Sequence, residues 1–180
     1  MPDFLDSIDN APITASLVVD EVGSHIGPDG TSKSLGGESD FELLMLFRKR
    51  AGTVLTTGLT ARTENYRLPS SALLVILTRS SAEKLPKQLQ DKQVRLIGNE
   101  TALTPAESVQ ELVTSSPTPI HIEFGPTALI ETLRSRSDVR AFVSSEYETG
   151  AVAFMSKWNL YPVGAFRFKN LYVTEVSGRV

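Results

Sequence analysis

The run ALLVILT at residues 72–78 constrains this chain more than any other segment. It is apolar from Ala72 to Leu77, rich in branched side chains, and bounded on both sides by polar residues. A strand apolar on both faces must be covered on both, which is the situation of an inner strand in a parallel sheet. Parallel neighbours need crossover connections, usually helical, so the flanking sequence should alternate between strand-like and helix-like segments.

It does. PITASLVVDEV (12–22) reads as a first strand, followed by the polar glycine-containing loop GSHIGPDGTSKSLGG. Ser39 and Glu42 make an S-x-x-E capping signal, with Phe41, Leu44, Met45 and Arg48 at helical spacing behind it. TVLTT (53–57) is a short buried strand, and GLTARTENYRLP is a helical turn or two and a loop closed by Pro69. QVRLIG (93–98) is a further strand. Thr104, Pro105 and Glu107 give the cap, first-turn proline and capping-box carboxylate of a helix to about Val113. PIHIEF (119–124) is a strand that passes through a Gly125-Pro126 corner into a helix ending near Arg136. Gly125 is expected in a backbone conformation that favours glycine, and Pro126 at the first helical position. VRAFVSS (139–145) and AFRFKNLYVTEV (165–176) carry late strands, the second resembling a β-ribbon. No element is assigned between them, and Trp158 and Tyr161 receive no role. The fold class is α/β, a mixed and mostly parallel sheet flanked by helices with antiparallel strands towards the C-terminus, in one domain spanning residues 1–180.

Composition removes several chemistries. The 180 residues contain no cysteine and two histidines, His25 and His121. A thiol nucleophile, a cysteine zinc site and a three-histidine metal centre are therefore excluded. No G-x-S-x-G elbow is present. GPDGTSKS (27–34) has Ser32 where a phosphate loop needs glycine before its lysine, and no G-x-G-x-x-G follows a strand. The net charge of -3 and the lack of a long basic run give no electrostatic support for nucleic-acid or acidic-membrane binding. No apolar run approaches membrane-spanning length. MPDFLDSIDN lacks the basic-then-apolar order of a signal peptide, so the expected location is cytoplasmic. His25 is expected to be solvated in its polar loop, and His121 to be packed beside the sheet.

Three strand ends are rich in hydroxyl and glycine residues: Thr56-Thr57-Gly58-Leu59-Thr60, Thr78-Arg79-Ser80-Ser81 and Glu123-Phe124-Gly125-Pro126-Thr127. In an open α/β sheet the carboxyl ends of parallel strands line the ligand crevice. A guanidinium with hydroxyls suits a phosphate monoester, and a helix N-terminus suits a pyrophosphate. Serine and threonine also populate ordinary turns, so a nucleotide pocket and plain turn chemistry both account for the clusters.

Two blocks resemble a known family. DGTSKSLGGESDFELLMLFRKRAGTVLTTGLTARTENYRLP is similar to a segment of the bacterial pyrimidine reductases of riboflavin biosynthesis. IHIEFGPTALIETL resembles their E-G-G-P-T-L helix start. The resemblance implies a dihydrofolate-reductase-like fold, NADPH as cofactor and commonly a homodimer, without the zinc deaminase domain that precedes the reductase in bifunctional members. Carried over by position, it implies cofactor contacts at Thr57, Gly58, Thr60 and Glu64, with the adenosine phosphate at Thr78, Arg79 and Ser80. The pyrophosphate would meet Gly125, Pro126 and Thr127. Ser32, Arg48 and Glu123 fall where the family touches its substrate, a small phosphorylated heterocycle. Hydride transfer from nicotinamide to the opened sugar of a ribosylaminouracil phosphate is the implied reaction. A non-catalytic nucleotide-binding relative and a reductase of another pterin-like substrate are the rival readings. Two departures stand out: DEVGSHIG replaces the S-L-D-G of the first strand's end, and Phe124 replaces the first glycine of G-G-P, which places a large side chain beside the cofactor path.

Overall fold

The ALLVILT run forms β3 (Leu73–Leu77) in a computed structural model of the chain, which describes residues 8–90 and 93–179. Its neighbours are β2 (Thr53–Thr57) and β4 (Val94–Ile97), both parallel to it. β5 (Ile120–Glu123) lies between β2 and β1 (Ile13–Val18), parallel to each, and β6 (Arg140–Ser145) pairs in parallel with the far side of β1. β7 (Tyr161–Phe168) and β8 (Leu171–Ser177) form a hairpin whose second strand is antiparallel to β6. The sheet order is β4-β3-β2-β5-β1-β6-β8-β7. The expected ribbon is this hairpin, begun four residues earlier at Tyr161.

Helices α1 (Gly37–Arg50), α2 (Gly58–Thr63) and α3 (Lys87–Gln90) precede strands added in one direction across the sheet. Helices α4 (Pro105–Ser115) and α5 (Pro126–Ser135) precede strands added in the other. Right-handed crossovers therefore put the first three on one face and the other two on the opposite face. The buried clusters agree. Val54, Leu74 and Ile76 pack with Ala61, Leu85 and Leu89 on the first face. Leu55, Val75, Ile120 and Ile122 pack with Val109, Leu112, Leu129 and Leu133 on the second. α6 (Glu148–Trp158), unassigned from sequence, joins that second face through Ala151, Phe154 and Met155. Its glycine and mixed polar residues gave no clean start signal.

Three local expectations are corrected. β1 ends at Val18, and residues 19–22 turn away; the Asp20 carboxylate accepts the Val22 and Ser24 N–H groups at 3.0 and 2.7 Å, closing that turn. α1 starts at Gly37 from a left-handed Gly36 (φ 69°), so Ser39 lies inside the first turn and caps nothing. A Cβ on Gly36 would lie 2.5 Å from the Asp40 Cβ, so only glycine fits that entry. The buried side of α1 is Leu43 and Phe47, whereas Phe41 is 61 % exposed. Third, Gly125 has φ −64° and ψ 166°, an extended conformation open to any residue.

At α4 the capping box forms as read: Thr104 Oγ1 accepts the Glu107 N–H at 3.2 Å, and Glu107 Oε2 accepts the Thr104 N–H at 2.8 Å. Replacing Thr104 by alanine should cost about 1 kcal/mol, with Thr104→Ser nearly neutral. Urea denaturation followed by circular dichroism checks this; a midpoint unmoved by Thr104→Ala would show that the cap is idle.

Candidate functional site

The three hydroxyl-rich segments end β2, β3 and β5, which are consecutive parallel strands. Their carboxyl ends therefore share one rim. Thr56 Oγ1 donates to the Glu123 carbonyl at 2.8 Å, locking two of those ends together. Thr57, Gly58, Thr78, Arg79 and Ser80, all expected at the cofactor, line a single cavity of about 310 Å³. Arg62, Gly98 and the apolar side chains of Leu59, Leu77 and Leu103 complete its wall.

Small side chains give this rim its shape. Thr57 caps α2, accepting the Thr60 N–H at 3.1 Å while its hydroxyl donates to Thr60 Oγ1 at 3.0 Å. Thr78 Oγ1 accepts the Ser80 N–H at 3.0 Å, turning the chain after β3. Across the β2–β5 boundary, Gly125 caps α5 without a side chain, and Pro126 holds its first position. A Cβ on Gly125 would have Thr60 Oγ1, 3.8 Å away, as its one neighbour within 4 Å. The backbone there does not need glycine, so what glycine provides is open space before the first-turn N–H groups of a ten-residue helix, with Thr127 exposed beside it. Phe124 does not enter that space. It is 2 % exposed and packs in the second-face core, so the expectation of a large side chain beside the path is overturned. Strand alternation explains it: Phe124 follows Ile120 and Ile122, while His121 and Glu123 point to the other face.

On that other face stands a buried polar group. Arg48 Nε and Nη2 donate to Glu123 Oε1 and Oε2 at 2.7 and 2.8 Å, and Tyr66 donates its hydroxyl to Oε2 at 2.5 Å. The Arg48 guanidinium also lies 4.7 Å from the Tyr66 ring centre. Burial pushes the Glu123 carboxyl up, yet the two hydrogen bonds and the charge of Arg48 outweigh it and hold Glu123 below its ordinary value. Burial, then the Glu123 charge, raises Tyr66 well above the phenol range, so it stays a donor. Next along β5, His121 is buried against β1, with Thr14 Oγ1 at 2.9 Å from Nδ1 and Ser16 Oγ at 3.0 Å from Nε2, and Phe47 stacked on its ring. Burial lowers its pKa to about 4. His25 is half-buried, and desolvation, then Lys157, lowers its pKa as well.

The remaining expected residues meet one another across the loop before α1. Ser32 donates its N–H to Glu64 Oε1 at 2.9 Å, so Glu64 fixes that loop to the end of α2. Arg48 and Glu123, read from the sequence as separate substrate contacts, are each other's partners. Three residues were missed. Tyr66 stood in the quoted ENY without a role. Arg62 lies one helical turn after Gly58, a spacing that would have placed it at the cavity. Asp40 is packed under Gly36 and accepts from Ser144 Oγ at 2.8 Å; burial, then the charges of Glu123 and Glu146, raise its pKa to about 6. Among the described residues no group of His, Asp and Glu could hold a metal ion, and no helix is long and apolar enough to cross a membrane.

No protein-family model matches the chain, and no curated protein matches it by sequence. Solved structures do match it. A pyrimidine reductase-like protein of Corynebacterium diphtheriae superposes with a TM-score of 0.64 at 19% identity, over 96% of this chain and 94% of that one. The chain has the fold of the pyrimidine reductases. RibD of Acinetobacter baumannii gives a TM-score of 0.66 at 13% identity, over 96% of this chain and 59% of that one, so the chain spans about three fifths of that longer protein. Dihydrofolate reductase of Enterococcus faecalis, complexed with NADP(H) and RAB-propyl, gives 0.51 at 15% identity, over 92% and 94%. The pyrimidine-reductase fold is thus dihydrofolate-reductase-like, as the resemblance implied.

The buried histidine generates a pH prediction. Its folded pKa of about 4 lies below the ordinary 6.5, so the unfolded chain takes the proton first as pH falls. His121 therefore destabilises the fold progressively from about pH 6.5 to about pH 4, by roughly 3 kcal/mol in full. Relative to His121→Gln, the wild type should lose that stability on acidification, measured by denaturant unfolding at a series of pH values. Parallel curves would overturn the assignment.

Proposed function

We propose that the protein is an NADPH-dependent reductase of the pyrimidine-reductase kind, acting on a ribosylaminouracil phosphate and converting its ribosyl group to ribityl. The observation that carries this is the shared rim: one cavity lined by Thr57, Gly58, Thr78, Arg79 and Ser80, and, on the neighbouring strand end, the bare corner at Gly125, where a Cβ would lie 3.8 Å from Thr60 Oγ1. The residues fit an extended dinucleotide. The leucines at 59, 77 and 103 give an apolar wall for a purine, Arg79 a cation for a phosphate monoester, and the unobstructed start of α5 a seat for a pyrophosphate at Gly125, Pro126 and Thr127.

Bound NADPH would supply the hydride, and the protein is asked for alignment and electrostatics. Asp40, which accepts from Ser144 Oγ and whose pKa of about 6 leaves it ionised at neutral pH, favours a positively charged acceptor carbon of the iminium type. Ser32, on the loop that Glu64 fixes, and Arg48 are assigned to the substrate with Glu123. The same fold could serve another pterin-like substrate, or bind a nucleotide without turnover; the test below separates these. For assembly we propose a homodimer joined along the edge strand β7, where Tyr161 and Val163 are exposed. Sedimentation equilibrium should find a dimer that Val163→Glu dissociates, and a wild-type monomer would end that proposal.

Titration by nicotinamide fluorescence should show saturable NADPH binding, and absorbance should fall when the deaminated ribosylaminouracil phosphate is added. No binding would sink every reductase reading; binding without oxidation would leave the nucleotide-binding relative or another substrate. Arg79→Ala should weaken NADPH about 10- to 100-fold, from the worth of hydrogen bonds to charged groups, and leave NADH nearly unchanged. Equal weakening of both would refute its role.

A further inference from the structure

Little around Asp40 supports a charge on it. Other carboxylates at this end of the sheet are committed: Glu123 to Arg48 and Tyr66, Glu64 to the Ser32 N–H, and Asp20 to two N–H groups of its own turn. Asp40 receives a hydrogen bond from the Ser144 hydroxyl at 2.8 Å, and among the described residues it forms no ion pair. The charges that bear on it are those of two acids, Glu123 on β5 and Glu146 just past β6. Glu146 is exposed and accepts from Asn170 Nδ2 at 3.1 Å. Burial and like charge both favour the protonated acid. Of the histidines, His121 has both ring nitrogens engaged, and burial, then Lys157, disfavours a proton on His25.

Asp40 stands over the end of β1. A Cβ on Gly36 would lie 3.1 Å from Asp40 Cγ and 3.1 Å from Val18 Cγ2, so the glycine entry, the carboxyl and the last residue of the strand meet there. β1 is followed by α1 on one face and its neighbour β6 by α6 on the other, so their ends flank a crevice of the kind in which α/β sheets take ligands. Ser144 gives the carboxyl two satisfied states. With Asp40 ionised, the hydroxyl donates to Oδ1; with Asp40 protonated, it accepts the acid proton and turns its own towards the Leu17 carbonyl, 3.5 Å away. Asp40 is only partly buried, so it can reload from water.

We propose that Asp40, paired with Ser144, delivers the proton that the reduction consumes to the ring oxygen of the substrate's ribosyl group. This rests on the reductase reading above and adds the step that makes the acceptor. The bond between C1 and the ring oxygen breaks, its electrons stay on oxygen, and that oxygen takes the Asp40 proton to become a hydroxyl. The lone pair of the attached nitrogen forms C=N, which leaves a cationic carbon facing the new carboxylate. Hydride addition at C1 returns the C=N electrons to nitrogen, and Asp40 regains a proton from water. One proton and one hydride are consumed for each ribityl group formed.

The test is the pH dependence of kcat for NADPH oxidation with the deaminated ribosylaminouracil phosphate. In wild type, kcat should fall as pH rises through about 6. Asp40→Asn should lower kcat about 100-fold or more and abolish that fall, with NADPH affinity and melting temperature unchanged. Ser144→Ala removes a bond to the carboxylate and should move the fall to higher pH; Glu146→Gln removes a like charge and should move it lower. A purely structural role would not produce opposite shifts. An Asp40→Asn with wild-type kcat and profile, or a profile that neither neighbour moves, would overturn the proposal. Carbon-13 NMR of the carboxyl groups tests the acid without turnover: a carboxyl titrating near pH 6 should vanish in Asp40→Asn, and its absence from wild type would overturn the proposal even in an active enzyme. A protein that shows this carboxyl yet oxidises no NADPH would keep the proton-holding pair and lose the reductase reading, and the donation step with it.

Discussion

The ion pair between Arg48 and Glu123 is what the rest of the functional end depends on. The second face of the sheet is covered by one continuous apolar cluster, but the first is not. There the cluster under α2 and α3 and the cluster under α1 are separate, and Thr14, Ser16, His121 and Glu123 fill the seam between them. Leu43 and Phe47 seat α1 on its own cluster, and towards the polar seam specific bonds hold it. Arg48 fixes the end of α1 to β5 in two parallel hydrogen bonds, and Tyr66 ties the segment after α2 to the same carboxylate. Removing one partner of such a pair typically costs ~3–5 kcal/mol, because the other charge stays buried.

That seam also sets the loop before α1. α1 cannot slide along the sheet without breaking the bidentate geometry, so its glycine entry at Gly36 is held over Asp40 and Ser144 at the carboxyl end of β6. The loop is fixed from its other side by Glu64 on the Ser32 N–H. One carboxylate buried in the seam and one at its margin therefore place the loop side of the rim, while the cavity side is shaped by hydroxyls and missing side chains. Bonds that are already made position; surfaces left bare receive.

The legibility of these parts in the sequence follows the range of the interactions behind them. β3, β2 and the capped α4 were readable because burial on both faces and a capping box are local patterns. The grouping of Thr57, Thr78 and Gly125 was readable one step further on, since strand ends of a parallel sheet must converge. α6 was missed because its start lacks a side-chain cap, and its buried Ala151, Phe154 and Met155 are too few to declare a face. The pairing of Arg48 with Glu123 spans 75 residues, and no local pattern contains it. Gly125 was misjudged for a different reason: glycine was assumed to answer a need of the backbone, whereas its φ is ordinary and its absent side chain is the point.

A carboxylate next to an anion-seeking helix start looks self-defeating, and two features remove the conflict. Alternation along β5 sends the Glu123 side chain to the face of α1, while α5 leaves the strand on the opposite face with its first N–H groups turned to the rim. The charge is also cancelled where it stands, by a guanidinium in contact with both carboxylate oxygens. What an incoming phosphate meets at Gly125 is then the positive end of α5 with little of Glu123's charge behind it. One strand end can thus carry a buried, neutralised carboxylate towards one face and an open helix start towards the other.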